Sequence, residues 1–343
     1  MDLAKKLAES LRRYMLLLTM VTALVAVIVG SSAPTVTKVP PSTFKGVVMV
    51  LAAATIFPSM ILLRGERLGP TLKQFKHVLI VVFYAYALSP LLAYLLSSLI
   101  SSPEIKLGFL VANTAPASAA SLGYVMLAEG NLELATANVF TLVVLGIVLI
   151  PAYLYVYASM MTLSVSIVEF VKPVLAVLAV PLLVGQLVRR YLIRRRGVSF
   201  ISGELKPYLS AATVLMMLTL IFVLISRKAI LIVRKPHSAL EIAGAYSAVV
   251  LVTVLIGLMT SRFLKIGYRE HQAIMFLTIT KNQSVAAAMA TCGFGPAAAL
   301  APALIPAVQP VLAIAYLHFS KTIKRLLAPQ NTLQKKAQQP ICK

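Results

Sequence analysis

Acidic side chains are scarce in this sequence of 343 residues: ten Asp and Glu stand against 32 Lys and Arg, for a formal charge of +22. Tryptophan is absent, cysteine occurs only as Cys292 and Cys342, and charged residues make up 12% of the chain. Soluble domains carry about a quarter charged residues, so the chain is not one of them. Two cysteines without metal-ligand spacing, one of them in a polar tail, argue against a disulfide framework, a zinc site or any other bound metal. No His-Glu-x-x-His, no Gly-x-Ser-x-Gly and no carboxylate pair occurs, which leaves no catalytic constellation, and no cofactor is expected. The positive charge does not point to nucleic acid, because the cations fall in short clusters between apolar runs, where they set topology and meet lipid headgroups.

What is present is apolar: 59% of the residues are hydrophobic and the mean hydropathy is +0.91. The chain therefore reads as an all-α, polytopic membrane protein. Windows of about 20 residues, the length that crosses a bilayer, predict ten spans near 14–30, 44–63, 77–100, 105–128, 132–158, 166–188, 207–226, 241–261, 271–292 and 296–318. The first reads as a retained helix rather than a signal peptide. Short breaks separate them, among them Pro34, Pro40 and Pro41, Arg64-Gly65-Glu66-Arg67, Ser164 and Ser166, Arg194-Arg195-Arg196-Gly197 and Arg234-Lys235-Pro236. Counted on alternate sides of ten spans, 23 Lys and Arg fall on one side and eight on the other. That asymmetry predicts a multi-pass protein of the cell membrane with both termini cytoplasmic. Residues 321–343 read as a basic, loosely ordered cytoplasmic tail.

Ten spans divide into two sets of five, 1–160 and 163–320, that enter the membrane from opposite sides. Inverted five-helix repeats are a transporter architecture whose site lies where broken helices meet at the midplane, and the fourth span of each half is interrupted. Span four carries Asn113, Thr114, Pro116, Ser118 and Ser121; span nine carries Thr280, Lys281, Asn282, Gln283 and Ser284. Unwound backbone at membrane depth is tolerated only where protein or a wet cavity covers it. A lone cation there costs about 2.5–3.5 kcal/mol on insertion scales and marks a functional position. These ten residues are the candidate substrate-binding or coupling positions, with Lys281 foremost. The ammonium either bonds permanently to crossover carbonyls as a built-in counter-ion, or it takes part in transport. Burial disfavours its charged form, so it could load and release a proton, and while charged it could attract an anion.

Several motifs carry a resemblance: Phe75-Lys76-His77, Ser89-Pro90, Ser101-Ser102-Pro103-Glu104-Ile105, Pro116, Leu127-Ala128-Glu129-Gly130-Asn131 and the stretch from Asn282 to Pro310. On these the chain resembles the bile acid:sodium symporter superfamily, which includes the arsenite permeases. The resemblance implies a core domain of spans 3–5 and 8–10, containing two crossing broken helices, and a panel of spans 1, 2, 6 and 7. Substrate would bind between them, and core would slide against panel.

The sodium ligands implied by that family are mostly replaced. Its Ser-Asn pair falls on Ser121-Leu122, its fifth-span hydroxyls on Ala135 and Val139, its ninth-span carboxylate on Leu277, and two glutamines on Ala85 and Lys281; Asn282 is kept. All ten acidic residues lie at span ends or in loops, which leaves no carboxylate for a hard cation at the midplane. The arsenite thiol and carboxylate fall on Ala117 and Ser284. The sequence thus predicts a secondary transporter of a small organic anion that does not use sodium, with a proton as candidate coupling ion and the lipid bilayer as its other partner. A sodium-coupled anion symporter with an altered site and a metalloid efflux permease remain the alternatives. His77, His271 and His318 at span ends and His237 in an outer loop read as solvated or headgroup-facing. Tyr84, Tyr86, Tyr153, Tyr155 and Tyr157 read as packing and interfacial residues, and Pro302, Pro306 and Pro310 as kinks.

Overall fold

In lipid every backbone N–H and C=O needs a partner within the protein, and among the described residues the chain answers with helices throughout. The computed structural model describes residues 10–11, 14–33, 39–64, 75–160, 167–234 and 236–327. In order the helices are α1 (Met15–Ser32), α2 (Pro41–Leu62), α3 (Phe75–Leu99), α4 (Pro103–Thr114), α5 (Ser121–Leu127) and α6 (Leu132–Met160). They continue as α7 (residues 167–199), α8 (Lys206–Arg234), α9 (His237–Phe263), α10 (Tyr268–Ile279), α11 (Gln283–Phe294), α12 (Leu300–His318) and the short α13 (Ser320–Leu326). Pro41 and Pro103 sit at helix starts, where a missing N–H costs nothing.

Among the described residues seven helical runs are long and apolar enough to cross a membrane, and one of them is the 68-residue stretch Ile167–Arg234. That run bends where Gly197 takes φ 77° and ψ 172°, a left-handed φ that a side chain would resist. α7 and α8 extend well past the expected windows 166–188 and 207–226. The windows 105–128 and 271–292 each hold two short helices around a break. Part of the expected tail is also structured: α13 is helical, Ile323 is buried, and Lys324 pairs with Glu129 at 3.1 Å. Residues 328–343, Pro34, residues 65–74, the break at Ser164 and Ser166, and Lys235 lie outside the described residues.

Burial sorts the helices. α1 buries only Thr19, Ala26 and Gly30, whereas α10 from His271 to Ile279 and α11 from Gln283 to Thr291 are buried on every side. A helix that is buried all round occupies the centre of a bundle. α8 packs along α1 and α2, and α7 along α2; α11 packs against α4, α2 and α12. The last carbonyls of α2 would be orphans in hydrocarbon. Gln186 of α7 donates to those of Met60 (2.7 Å) and Leu63 (3.1 Å), and the buried Arg189 to that of Ile61 (3.1 Å).

Candidate functional site

The two breaks meet. Residues 115–120 between α4 and α5 and residues 280–282 between α10 and α11 run antiparallel, with Ala117 opposite Lys281. Ser118 N–H donates to the Thr280 carbonyl (2.9 Å) and Asn282 N–H to the Pro116 carbonyl (2.8 Å). In extended chain successive residues present their polar groups to opposite edges, so Lys281 faces away from this ladder. The Gln309 side chain of α12 serves that second edge: its Oε1 accepts from Lys281 N–H (3.1 Å) and its Nε2 donates to the Lys281 carbonyl (3.2 Å). The Tyr246 hydroxyl lies 2.8 Å from both Gln309 Oε1 and the Ile279 carbonyl, sharing one hydrogen between them. Around Lys281 the unwound backbone is thus satisfied on both edges, as its depth requires.

The Lys281 side chain is 1% exposed. Its Nζ donates to the Ala85 carbonyl at 2.8 Å and lies 5.9 Å from the centre of the Tyr86 ring. The bond to a crossover carbonyl that one of the two readings of Lys281 expects is replaced by one to α3, and the reason lies in Pro90. Residues Tyr84–Leu88 form a π-helical turn in which Ser89 N–H bonds to the Tyr84 carbonyl. The next donor in that register would be residue 90, which has no N–H. The Ala85 carbonyl is therefore left free, and Lys281 takes it. Tyr153 hydroxyl takes the neighbouring Tyr86 carbonyl. The Tyr86 hydroxyl in turn donates to the Leu142 carbonyl (2.5 Å), in space left by Gly146, where a Cβ would lie 2.7 Å from the Tyr86 hydroxyl oxygen.

The predicted residues divide. Pro116, Ser118, Ser121, Thr280, Lys281, Asn282 and Gln283 come together at the crossover. The Ser121 hydroxyl lies 2.5 Å from Thr280 Oγ1, which itself donates to the Phe276 carbonyl. Asn282 is half-buried and caps α11, its Oδ1 accepting from Val285 N–H (3.4 Å). Gln283 Nε2 is 3.4 Å from Gln309 Oε1, while its own Oε1 is buried without a partner. Asn113 and Thr114 turn onto their own helix, donating to the carbonyls of Phe109 and Val111. Ser284 is buried in the first turn of α11. Ser118 and Asn282 are the polar members of the crossover left half-buried. Every described carboxylate lies at or near a helix end, in keeping with the sequence expectation.

Gln309, Tyr246, Tyr86 and Tyr153 join the site beyond the sequence expectation. Gln309 did carry a signal, as an amide in an otherwise apolar span. His271 is a correction: rather than facing headgroups it is 0% exposed, with Nδ1 2.7 Å from the Ser261 hydroxyl and Nε2 3.0 Å from that of Tyr316. The helix start that holds it is covered by α9 and α12.

The described residues hold no group of three or more His, Cys, Asp or Glu placed to bind a metal ion. No curated protein matches the chain. The model of the sodium bile acid symporter family matches residues 48–235, more than half of the chain and including the first break.

Proposed function

The chain belongs to the sodium bile acid symporter family, and from that premise we propose that it is a secondary transporter of a small organic anion that does not use sodium. The observation that carries this reading is Lys281 Nζ, buried at the antiparallel crossover and bonded to a neutral carbonyl rather than a carboxylate. A buried cation beside backbone carbonyls occupies the electrostatic role of a bound metal ion and opposes the binding of another. The same charge favours an anion that reaches the crossover during transport. Thr280, Asn282, Gln283, Ser284, Ser118 and Ser121 supply the polar groups around it, and Asn113, Thr114 and Pro116 shape the first break.

The same reading has ten crossings, as two inverted repeats of five over 1–160 and 163–320, with cytoplasmic termini, a tail from 321 to 343 and residence in the cell membrane. Three observations support the ten crossings and their inverted arrangement. The run Ile167–Arg234 would be about 100 Å long if straight, three times the hydrocarbon thickness, and it bends at Gly197. Each broken pair together has the length of one crossing. Antiparallel pairing of the breaks is the relation that inverted repeats produce.

The test is the melting temperature of purified protein with acetate, pyruvate, succinate and a bile acid, each in sodium and in potassium, since a ligand that binds only the folded state raises it. The expected result is a shift by one of these anions that is equal in the two cations and absent in Lys281→Gln. A shift that requires sodium would overturn the reading.

A further inference from the structure

Near the start of α10 lies a polar cluster separate from the crossover. The imidazole of His271 is held between hydroxyls of two other helices, Ser261 of α9 and Tyr316 of α12. Its surroundings are aromatic: Phe276 stacks on Tyr124 at 5.6 Å and meets Tyr316 edge-on at 5.1 Å. Gln272 is also 0% exposed; its amide lies beside the Tyr316 hydroxyl, yet neither its Oε1 nor its Nε2 reaches any group in hydrogen-bond geometry. On α6, which packs against α10, the buried Asn138 donates to Leu134 but leaves its Oδ1 unpartnered.

A histidine that only ties helices together would be served by fixed partners, and nothing would keep an unbonded amide next to it, because burying polar groups without partners is costly. The unbonded Gln272 makes sense if the network has a second arrangement. A neutral imidazole donates through one nitrogen and accepts at the other. With Nε2 accepting, the Tyr316 hydroxyl donates to it and Nδ1–H donates to Ser261. If a proton adds to Nε2, both nitrogens donate. The Tyr316 oxygen then accepts, and its hydrogen turns to the Gln272 amide, which rotates to present its oxygen as acceptor. No covalent bond breaks except the one that releases the proton again.

We propose that His271 is a proton-binding site of the transport cycle, loaded and unloaded as the Tyr316 hydroxyl turns between the imidazole and the Gln272 amide. The word cycle rests on the transport reading above; the proton site does not. The elements packed against α10 bring other ionisable groups: Lys76 and His77 at the start of α3, Tyr124 on α5, Glu133 in the first turn of α6, Arg262 near the end of α9 and Tyr316 on α12. α10 adds Tyr268, Arg269 and Glu270, the last bonded to Asn131 Nδ2 at 3.1 Å. The imidazole itself is bonded to the two hydroxyls.

Two measurements on the full chain in lipid bilayers test this. In the first, protein labelled with 15N-histidine is titrated from about pH 4 to pH 8, and the His271 signal is assigned by its loss in His271→Gln. Conversion to imidazolium within that range is expected, and in Tyr316→Phe and Gln272→Leu its midpoint shifts. A signal that stays neutral throughout, or one that ignores both neighbours, overturns the proposal. In the second, liposomes holding a pH-sensitive dye receive pyruvate or succinate gradients, and acid-dependent uptake is read against pH. Wild type should vary at least fivefold over two pH units and His271→Gln less than twofold; an equal dependence in the variant overturns the coupling role. If His271 titrates but wild type moves neither pyruvate nor succinate, the coupling role fails for these anions while the proton site stands.

Discussion

The Lys281 ammonium and the Ala85 carbonyl meet at 2.8 Å across 196 residues of sequence. Each explains the other: Pro90 and the π-helical turn strip the carbonyl of its helical donor, and the break between α10 and α11 brings an ammonium to it. Lys281→Met keeps the length and volume of the side chain while removing charge and donor. An unpartnered buried carbonyl costs about 1–3 kcal/mol, but an uncompensated buried charge is removed as well. The expected outcome is a melting temperature within about 5 °C of wild type and a loss of at least about tenfold in anion affinity. Thermal shift and calorimetric titration on the same sample check both; undiminished affinity would leave Lys281 a purely structural group.

Gln309→Leu probes the other edge of the same peptide. One amide bonds Lys281 N–H and carbonyl and receives Tyr246, so truncation leaves at least two buried groups unserved, at about 1–3 kcal/mol each. Melting should drop by roughly 5 °C or more, and anion binding should weaken with it because the ammonium is no longer held in place. Gln309→Glu, which keeps the acceptor but loses the donor to the Lys281 carbonyl, should fall between wild type and Gln309→Leu.

The helices were legible because a bilayer imposes a length of about 20 apolar residues, and the breaks because Pro116 and the polar run from Thr280 to Ser284 contradict their surroundings. The partners of Lys281 were not. Ala85 contributes only backbone: Pro90 announces a freed carbonyl, but in α-helical register it would be that of Tyr86, and only the π turn makes it that of Ala85. Gln309 stands between Pro306 and Pro310, which read as kinks. His271 shows a further limit: at the start of a helix, sequence does not reveal whether water or two neighbouring helices cover the side chain. Asn113 and Thr114 illustrate the converse, since polar residues beside a break can bond to their own backbone.

Tyr153→Phe and Tyr155→Phe form a matched pair two residues apart. The first removes the donor that serves the Tyr86 carbonyl beside Lys281; the second alters a residue that is 45% exposed. Tyr153→Phe should destabilise by about 1–3 kcal/mol, the cost of an orphaned buried carbonyl, and Tyr155→Phe by no more than about 0.5 kcal/mol. Denaturation in mild detergent would read the difference; equal effects would mean that the Tyr86 carbonyl has another donor.

Gly146→Ala acts on the same network from behind. Its new Cβ would lie 2.7 Å from the Tyr86 hydroxyl and 3.2 Å from Ile150 Cδ1, too close for the tyrosine to stay bonded to the Leu142 carbonyl. Overpacking of this kind costs about 1–3 kcal/mol, and the ring it displaces is the one nearest the ammonium. Lower melting and weaker anion binding should therefore appear together. Gly244→Ala, where a Cβ meets nothing within 4 Å, should leave binding unchanged and serve as its control.

Cys342 gives a direct reading of orientation. With Cys292→Ser removing the other thiol of the chain, a maleimide that does not cross membranes can react only at residue 342. If the basic clusters set topology through the excess of cations on the cytoplasmic side, intact cells should leave Cys342 unlabelled and permeabilised cells should label it fully. Labelling in intact cells would place the tail outside, invert the charge argument and put the Lys324–Glu129 pair on the outer face. The His271 cluster, at the same end of α10, would then load its proton from outside.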